Sequence, residues 1–256
     1  MSRPLTAGAG EPPIVSVVLP TYNERDNVDP LIRRLDAAID LPIEILVVDD
    51  ASPDGTAGEV ERLATELSHV RVIVRRERGL TGAIQRGIDE SRGEVVVWMD
   101  CDLSMPPETV PRLIAEVREG QDAAIGSRYA SGGSVADGEG QGPWIGLQRT
   151  LTRRLNRQLT SVMGADFHDW TSGFIAIRAS LIKSIRLQGD YGEYFIDLMA
   201  RLLAGGARYR EVPYRTAPRH RGKSKTAPNL LTFGRLGFKY LRALAAARRT
   251  IRARTG

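Results

Sequence analysis

Two carboxylates one residue apart, Asp100 and Asp102, close the run Glu94-Val95-Val96-Val97-Trp98-Met99-Asp100-Cys101-Asp102-Leu103-Ser104. At that spacing they repel each other unless a proton or a cation intervenes. Oxygen-only ligands suit Mg²⁺ or Mn²⁺, ions that keep several waters and take one or two carboxylates together with substrate phosphates. The chemistry open to such a pair is therefore to hold a divalent ion against a phosphorylated substrate. An isolated Asp-x-Asp is also a common solvated strand end, so its surroundings decide. Cys101, between the acids, has no His near it in sequence and reads as a spacer rather than a thiol nucleophile.

The acids need an element to present them. Val95 to Met99 are five apolar residues in a row, the first three β-branched, which is the pattern of a strand buried on both faces. Ile14-Val15-Ser16-Val17-Val18-Leu19 is a second such run, expected to stop at Pro20, with Thr21-Tyr22-Asn23-Glu24 as the loop beyond it. Ile43 to Val48 is a third run, ending in Asp49-Asp50, and Val70 to Val74 a fourth. Between them lie helical periods: Leu31, Ile32, Leu35 and Ile39, expected to start near Asn27 or Asp29 with Pro30 at the first position; Val60, Leu63, Ala64 and Leu67; and Ile84 and Ile88. Alternating strand and helix with acids at two strand ends predicts an α/β fold, a mostly parallel, doubly wound, Rossmann-like nucleotide-binding sheet. Ligands of such sheets bind at the carboxyl edge, where these acids fall. No Gly-x-Gly-x-x-Gly or phosphate-loop pattern supports a dehydrogenase or kinase site.

The 256 residues and 42% hydrophobic content suffice for one such domain. A single Cys excludes an internal disulfide framework. No run reaches the ~18 apolar residues of a membrane span. Met1 to Pro13 lacks an apolar signal region and reads as a disordered lead-in. The net charge of +5 is unevenly placed, since after Arg201 the only acid is Glu211. Basic residues without interleaved aromatics argue against nucleic acid as a partner.

Val17-Val18-Leu19-Pro20-Thr21-Tyr22-Asn23-Glu24, Val48-Asp49-Asp50-Ala51-Ser52-Pro53-Asp54-Gly55-Thr56 and Met99-Asp100-Cys101-Asp102-Leu103-Ser104 resemble the nucleotide-diphospho-sugar half of family 2 inverting glycosyltransferases, which have the GT-A fold. Gly126-Ser127-Arg128-Tyr129 and Arg219-His220-Arg221-Gly222-Lys223-Ser224-Lys225 are similar to the polyprenyl-phosphate sugar transferases within it. The resemblance covers about Ile14 to Thr226, leaving 227–256 as a basic tail. It implies that Pro20, Tyr22 and Glu24 shape the nucleotide pocket, with Val48 and Asp50 along the base. Asp100 and Asp102 would hold Mg²⁺ or Mn²⁺ at the donor diphosphate, with Ser104 a further candidate ligand and Cys101 contributing main chain. Arg219 and Lys225 would clamp the diphosphate, where negative charge grows as the bond to the sugar breaks. Arg128 would hold the acceptor phosphate.

An acceptor phosphate, with a second pKa near ~6, is already largely ionised and needs no general base. A hydroxyl acceptor would need one, and Asp169 in His168-Asp169-Trp170-Thr171-Ser172-Gly173-Phe174 is the candidate for it, read here as structural or sugar-positioning. His168 has no second His at ligand spacing and reads as hydrogen-bonded rather than metal-bound. Ser131 to Gly142, rich in Gly, reads as a mobile loop over the donor.

Trp144 to Met163 and the chain from Leu230 each give a basic amphipathic helix, suited equally to packing on the domain and to lying on an anionic membrane. A long-chain lipid substrate favours the membrane. The expectation is an inverting, metal-dependent transfer of a hexose, mannose from GDP-mannose as first guess, to polyprenyl phosphate by a protein peripheral to the cytoplasmic face of a membrane. A separate membrane-anchor subunit is a possible partner. A UDP-sugar donor, a hydroxyl acceptor and a non-catalytic binding module are the competing readings.

Overall fold

The computed structural model describes residues 12–136, 143–164, 166–221, 239, 242–246 and 248–249. Seven strands form one sheet: β1 (Val15–Thr21), β2 (Ile43–Asp49), β3 (Val70–Val74), β4 (Val95–Trp98), β5 (Ala123–Ser127), β6 (Ile175–Arg178) and β7 (Tyr209–Pro213). Their spatial order is β3-β2-β1-β4-β6-β5-β7, parallel throughout except for β6, which runs against both β4 and β5. The fold is α/β, as the alternating pattern predicts.

Every residue of β2 and β4 is buried, which is why these strands read as unbroken apolar runs rather than alternations. One face of the sheet is covered by α1 (Arg25–Ala38), α2 (Thr56–Glu66) and α4 (Val110–Arg118). The other is covered by α3 (Leu80–Glu90), α5 (Pro143–Met163), α6 (Ala179–Ile182) and α7 (Tyr194–Ala204). Helix α3 lies flat on β1: a Cβ at Gly87 would stand 2.2 Å from Val18 Cγ1.

Three local expectations are corrected. Strand β1 continues through Pro20 to Thr21. Ile14 O accepts from Val95 N and Thr21 O from Asp50 N, so even-numbered residues of β1 face β4. Strand β4 ends at Trp98, opposite Val18, and Pro20 therefore deprives no ladder partner of a donor. Helix α1 starts at Arg25, five residues before Pro30, because Glu24 O closes its first turn by accepting from Asn27 N and Val28 N. The first part of the 131–142 loop is fixed by backbone bonds of Ser134 with Tyr214 and Thr216; 137–142 lie outside the described residues.

Candidate active site

The chain runs β1-β2-β3 in one direction and then returns to place β4 on the opposite side of β1. Between β1 and β4 the connections therefore diverge to opposite sides, opening a crevice at the carboxyl edge. Tyr22 and Glu24 follow β1 there, and Asp100 and Asp102 follow β4. The backbone turns sharply at these two exits and at that of β2: Asn23 (φ 55°), Leu103 (φ 65°) and Ala51 (φ 51°) are left-handed without being glycine. Strain of this kind persists where surrounding contacts impose it, and it concentrates at functional sites.

Leu103 folds the acidic loop back on itself. Ser104 N and Oγ donate to Asp102 Oδ1 at 2.9 and 2.6 Å, so Ser104 is in the first instance a brace for Asp102. Arg219 Nη2 reaches Asp102 Oδ2 at 2.6 Å, and its Nη1 stands 3.6 Å from Glu24 Oε1. The segment carrying Arg219 is strapped across the loop by Ala217 N donating to Ser104 O (2.9 Å) and His220 N donating to Asp102 O (3.0 Å). Glu24 thus faces the acids and Arg219. Asp102 is nearly buried, whereas Asp100 keeps an exposed surface. Desolvation by the surrounding protein, reinforced by the neighbouring Asp102, pushes Asp100 up to about 7, against the opposing pull of Arg219 and Arg128.

A divalent ion fits this donor set. A carboxyl pushed up with a like charge beside it is the setting that a cation relieves, and both candidate ligands offer oxygen only. Among the described residues no three His, Cys, Asp or Glu side chains converge on one point. An ion would take two carboxylates from the chain and complete its shell with phosphate and water, and Arg219 would have to share Asp102 with it.

Arg128, past the end of β5, is drawn to Asp169. Its Nε and Nη2 donate to Asp169 Oδ2 and Oδ1 at 2.8 and 2.7 Å, and Nη2 also donates to Thr171 O at 2.8 Å. Nη1 finds no acceptor among the described residues. Asp169 is fully buried, so both its oxygens serve this fork. Helix α5 fixes the turn that carries it: Asn156 Oδ1 accepts from Trp170 N at 2.7 Å and Asn156 Nδ2 donates to Thr171 Oγ1 at 3.2 Å. His168 pairs with Glu211 through Nδ1 at 2.7 Å and has no part in the acidic cluster.

At the β2 end, Asp50 accepts from Arg75 Nη1 and Gly79 N, both at 2.7 Å. Burial pushes its carboxyl up, and these two donors pull against that. The Arg78 guanidinium lies 4.4 Å over the Tyr22 ring. The basic loop 75–79 after β3 is a part of the site that sequence reasoning missed. Its signal is Arg75-Arg76-Glu77-Arg78-Gly79 standing at the carboxyl edge of a strand. An open cleft of about 440 Å³ along α3, lined by Arg75, Thr81, Gln85 and Arg186 among others, meets this edge at Arg75 and contains neither Asp100 nor Asp102.

Pro20 remains partly exposed at the strand end. The side chains of Val48 and Cys101 are buried in the core, so only their main chain is available to a ligand. Lys225 lies outside the described residues. The structure thus gathers Glu24, Asp100, Asp102, Ser104 and Arg219 into one cluster, with Arg128 near enough to act on Asp100, and places Tyr22 and Asp50 along the same edge.

The model of glycosyl transferase family 2 matches residues 16–186, which contain both the acidic loop and the β1 and β2 exits. The chain belongs to glycosyl transferase family 2. Among curated members it is 39% identical over 233 residues to a dolichol-phosphate mannosyltransferase of Pyrococcus furiosus, covering 89% of this chain and 62% of that protein. It is 38% identical to the polyprenol monophosphomannose synthase of Mycolicibacterium smegmatis, covering 85% of each. It is 35% identical to an undecaprenyl-phosphate 4-deoxy-4-formamido-L-arabinose transferase of an Enterobacter species, over 82% of this chain and 62% of the other. Among solved structures, glucosyl-3-phosphoglycerate synthase of Mycobacterium tuberculosis, in complex with Mn²⁺, UDP-glucose and phosphoglyceric acid, superposes with a TM-score of 0.68 at 21% identity, covering 92% of this chain and 80% of the other. This family member therefore has the GT-A architecture.

Proposed function

We propose that this family 2 glycosyltransferase moves one hexose, mannose from GDP-mannose in the first instance, onto the phosphate of a polyprenyl phosphate with inversion at the sugar. The observation that carries the choice of acceptor is the Arg128–Asp169 fork. A hydroxyl acceptor requires a carboxylate free to take its proton, and Asp169 has both oxygens committed to a guanidinium. A phosphate acceptor is already ionised, and what it needs is a cation. The Nη1 edge of Arg128, which meets no acceptor among the described residues, supplies one. The activities for which the curated relatives are named support the same acceptor class and, in most of them, mannose.

In this reading Asp100 and Asp102 hold Mg²⁺ or Mn²⁺, which when bound neutralises charge on the donor diphosphate. Ser104 keeps Asp102 oriented. Arg219 and Lys225 attract the departing β-phosphate. Tyr22, Pro20, Asp50 and the main chain of Val48 shape the nucleoside end, with Cys101 contributing main chain beside the sugar. Attachment is peripheral, through basic helical surface or a separate membrane subunit. Among the described residues no helix is long and apolar enough to cross a bilayer.

Radiolabelled sugar offered from a panel of GDP- and UDP-sugars to a short polyprenyl phosphate tests the proposal. One donor should label the lipid phase, and EDTA or Asp102→Ala should abolish the label. Label in no lipid product, with nucleotide still bound, sinks the lipid-phosphate reading. Transfer to a hydroxyl acceptor that depends on Asp169 would establish the competing one.

A further inference from the structure

Asn27, in the first turn of α1, is 2% exposed and lies 194 residues from the strap it touches. Its amide Nδ2 donates to Glu24 Oε2 at 2.6 Å and to Arg221 O at 3.2 Å. Its Oδ1 is buried and has no partner among the described residues, so the side chain is oriented by what it donates. The strap is sewn to the acidic loop on one side by the amides of Ala217 and His220. On the α1 side it is met by Asn27 and by the longer contact between Arg219 and Glu24.

We infer that Asn27 is a positioning residue: its two amide hydrogens tie Glu24 to the Arg221 carbonyl and so hold Arg219 at Asp102. The residue type follows from what surrounds it. Two acceptors, one of them anionic, converge on the buried amide of Asn27, and a group with two hydrogens and no negative charge satisfies both. Asp is the same size but donates nothing when ionised and stands against Glu24. Ser donates once, and Gln carries its amide one methylene too far. Changing Asn27 removes both side-chain bonds that link the first turn of α1 to the strap. The strap should therefore loosen locally when Asn27 is changed. The consequence for transfer rests on the reading of Arg219 given above, whereas the placement of the strap does not.

Hydrogen exchange in the full-length protein separates the two. In Asn27→Asp and Asn27→Ala, a peptide spanning 214–221, which contains the Ala217 and His220 amides, should exchange roughly tenfold faster. Peptides from β1 and β2 should exchange at the parent rate. Unchanged exchange of 214–221 in either folded variant overturns the inference, as does acceleration of equal size throughout the sheet. Sugar transfer by the same variants, corrected for folded protein by nucleotide binding, should fall about tenfold or more. A loosened strap with undiminished transfer would leave Asn27 in its positioning role and remove Arg219 from the chemistry.

Discussion

Asp100 is a residue whose working charge state opposes its own fold. Its carboxyl, at 3.8 in ordinary surroundings, is pushed up to about 7 by desolvation and by Asp102. Because the folded value lies above the unfolded one, the metal-free protein is stabilised by the proton at low pH. It loses that stabilisation as pH rises through about 7. Asp100→Asn removes the titration while keeping the shape. The variant should melt at the same temperature as the parent near pH 4 and higher at pH 8. The gain is on the order of 1 kcal/mol once solvent access to an exposed carboxylate is allowed for, or a few degrees for a chain of this length. Mn²⁺ should reverse the order, raising the melting temperature of the parent and not of the variant, and transfer activity should be lost. Equal melting curves at pH 8 without metal would show that Arg219 and Arg128 already neutralise the site.

At the scale of elements, three strand exits take the left-handed turn with residues that have a Cβ; Asn23 and Ala51 are exposed, and Ala51 is the one whose side chain is a single methyl. Nothing of its packing is lost on truncation, while the turn becomes easier for the backbone. Ala51→Gly should therefore leave stability unchanged or raise it by up to about 1 kcal/mol in a denaturant titration, where Ala→Gly in a helix interior costs about that amount. A loss of that size would mean the unfolded-state entropy of glycine outweighs the strain. These turns also mark what the sequence could and could not convey. The apolar runs announced β1 to β4 because strands buried on both faces need unbroken hydrophobicity. The acids announced the edge because charges must leave the core. β6, β7, α4 and α7 went unread; β7 is half-exposed at the sheet margin and lacks the unbroken apolar run of the inner strands. Neither the turn at Leu103 nor the reach of Arg219 to Asp102 has a local signature. Both depend on a segment more than a hundred residues away. Pro20 misled for a related reason: a proline breaks a ladder only where a partner strand is present to miss its donor.

For the molecule as a whole, the site, helix α5 and the surface join in one path. Leu159 and Met163 of α5 are buried against the sheet, and Asn156 is bonded to the turn that carries Asp169. Arg128 is therefore one hydrogen-bonded layer from the helix. The outer side of α5 does not follow the usual solvated pattern: Leu151 and Val162 are 37% and 39% exposed, and their separation of three helical turns puts them on one line. Arg153, Arg154 and Arg157 are exposed on the same helix, Arg154 about one turn from Leu151, and the helix contains no acid. An apolar line bordering a basic face suits the plane of an anionic bilayer, where each Arg near the surface contributes about 1 kcal/mol. The C-terminal stretch expected to act in the same way is helical at 242–246 and 248–249, but there Leu244 packs on the core and Lys239 pairs with Asp190 at 2.7 Å. The described part of that helix belongs to the protein, which leaves α5 as the surface to test. The protein should float with phosphatidylglycerol-containing vesicles and release as salt rises, because screening removes the arginine contribution. Leu151→Glu with Val162→Glu should abolish flotation and slow transfer to long-chain acceptors, while transfer to a short, water-soluble polyprenyl phosphate persists. Flotation that ignores both substitutions would move the membrane contact elsewhere. Loss of transfer to the short acceptor as well would show that α5 acts through Asn156 on Arg128 rather than through the bilayer.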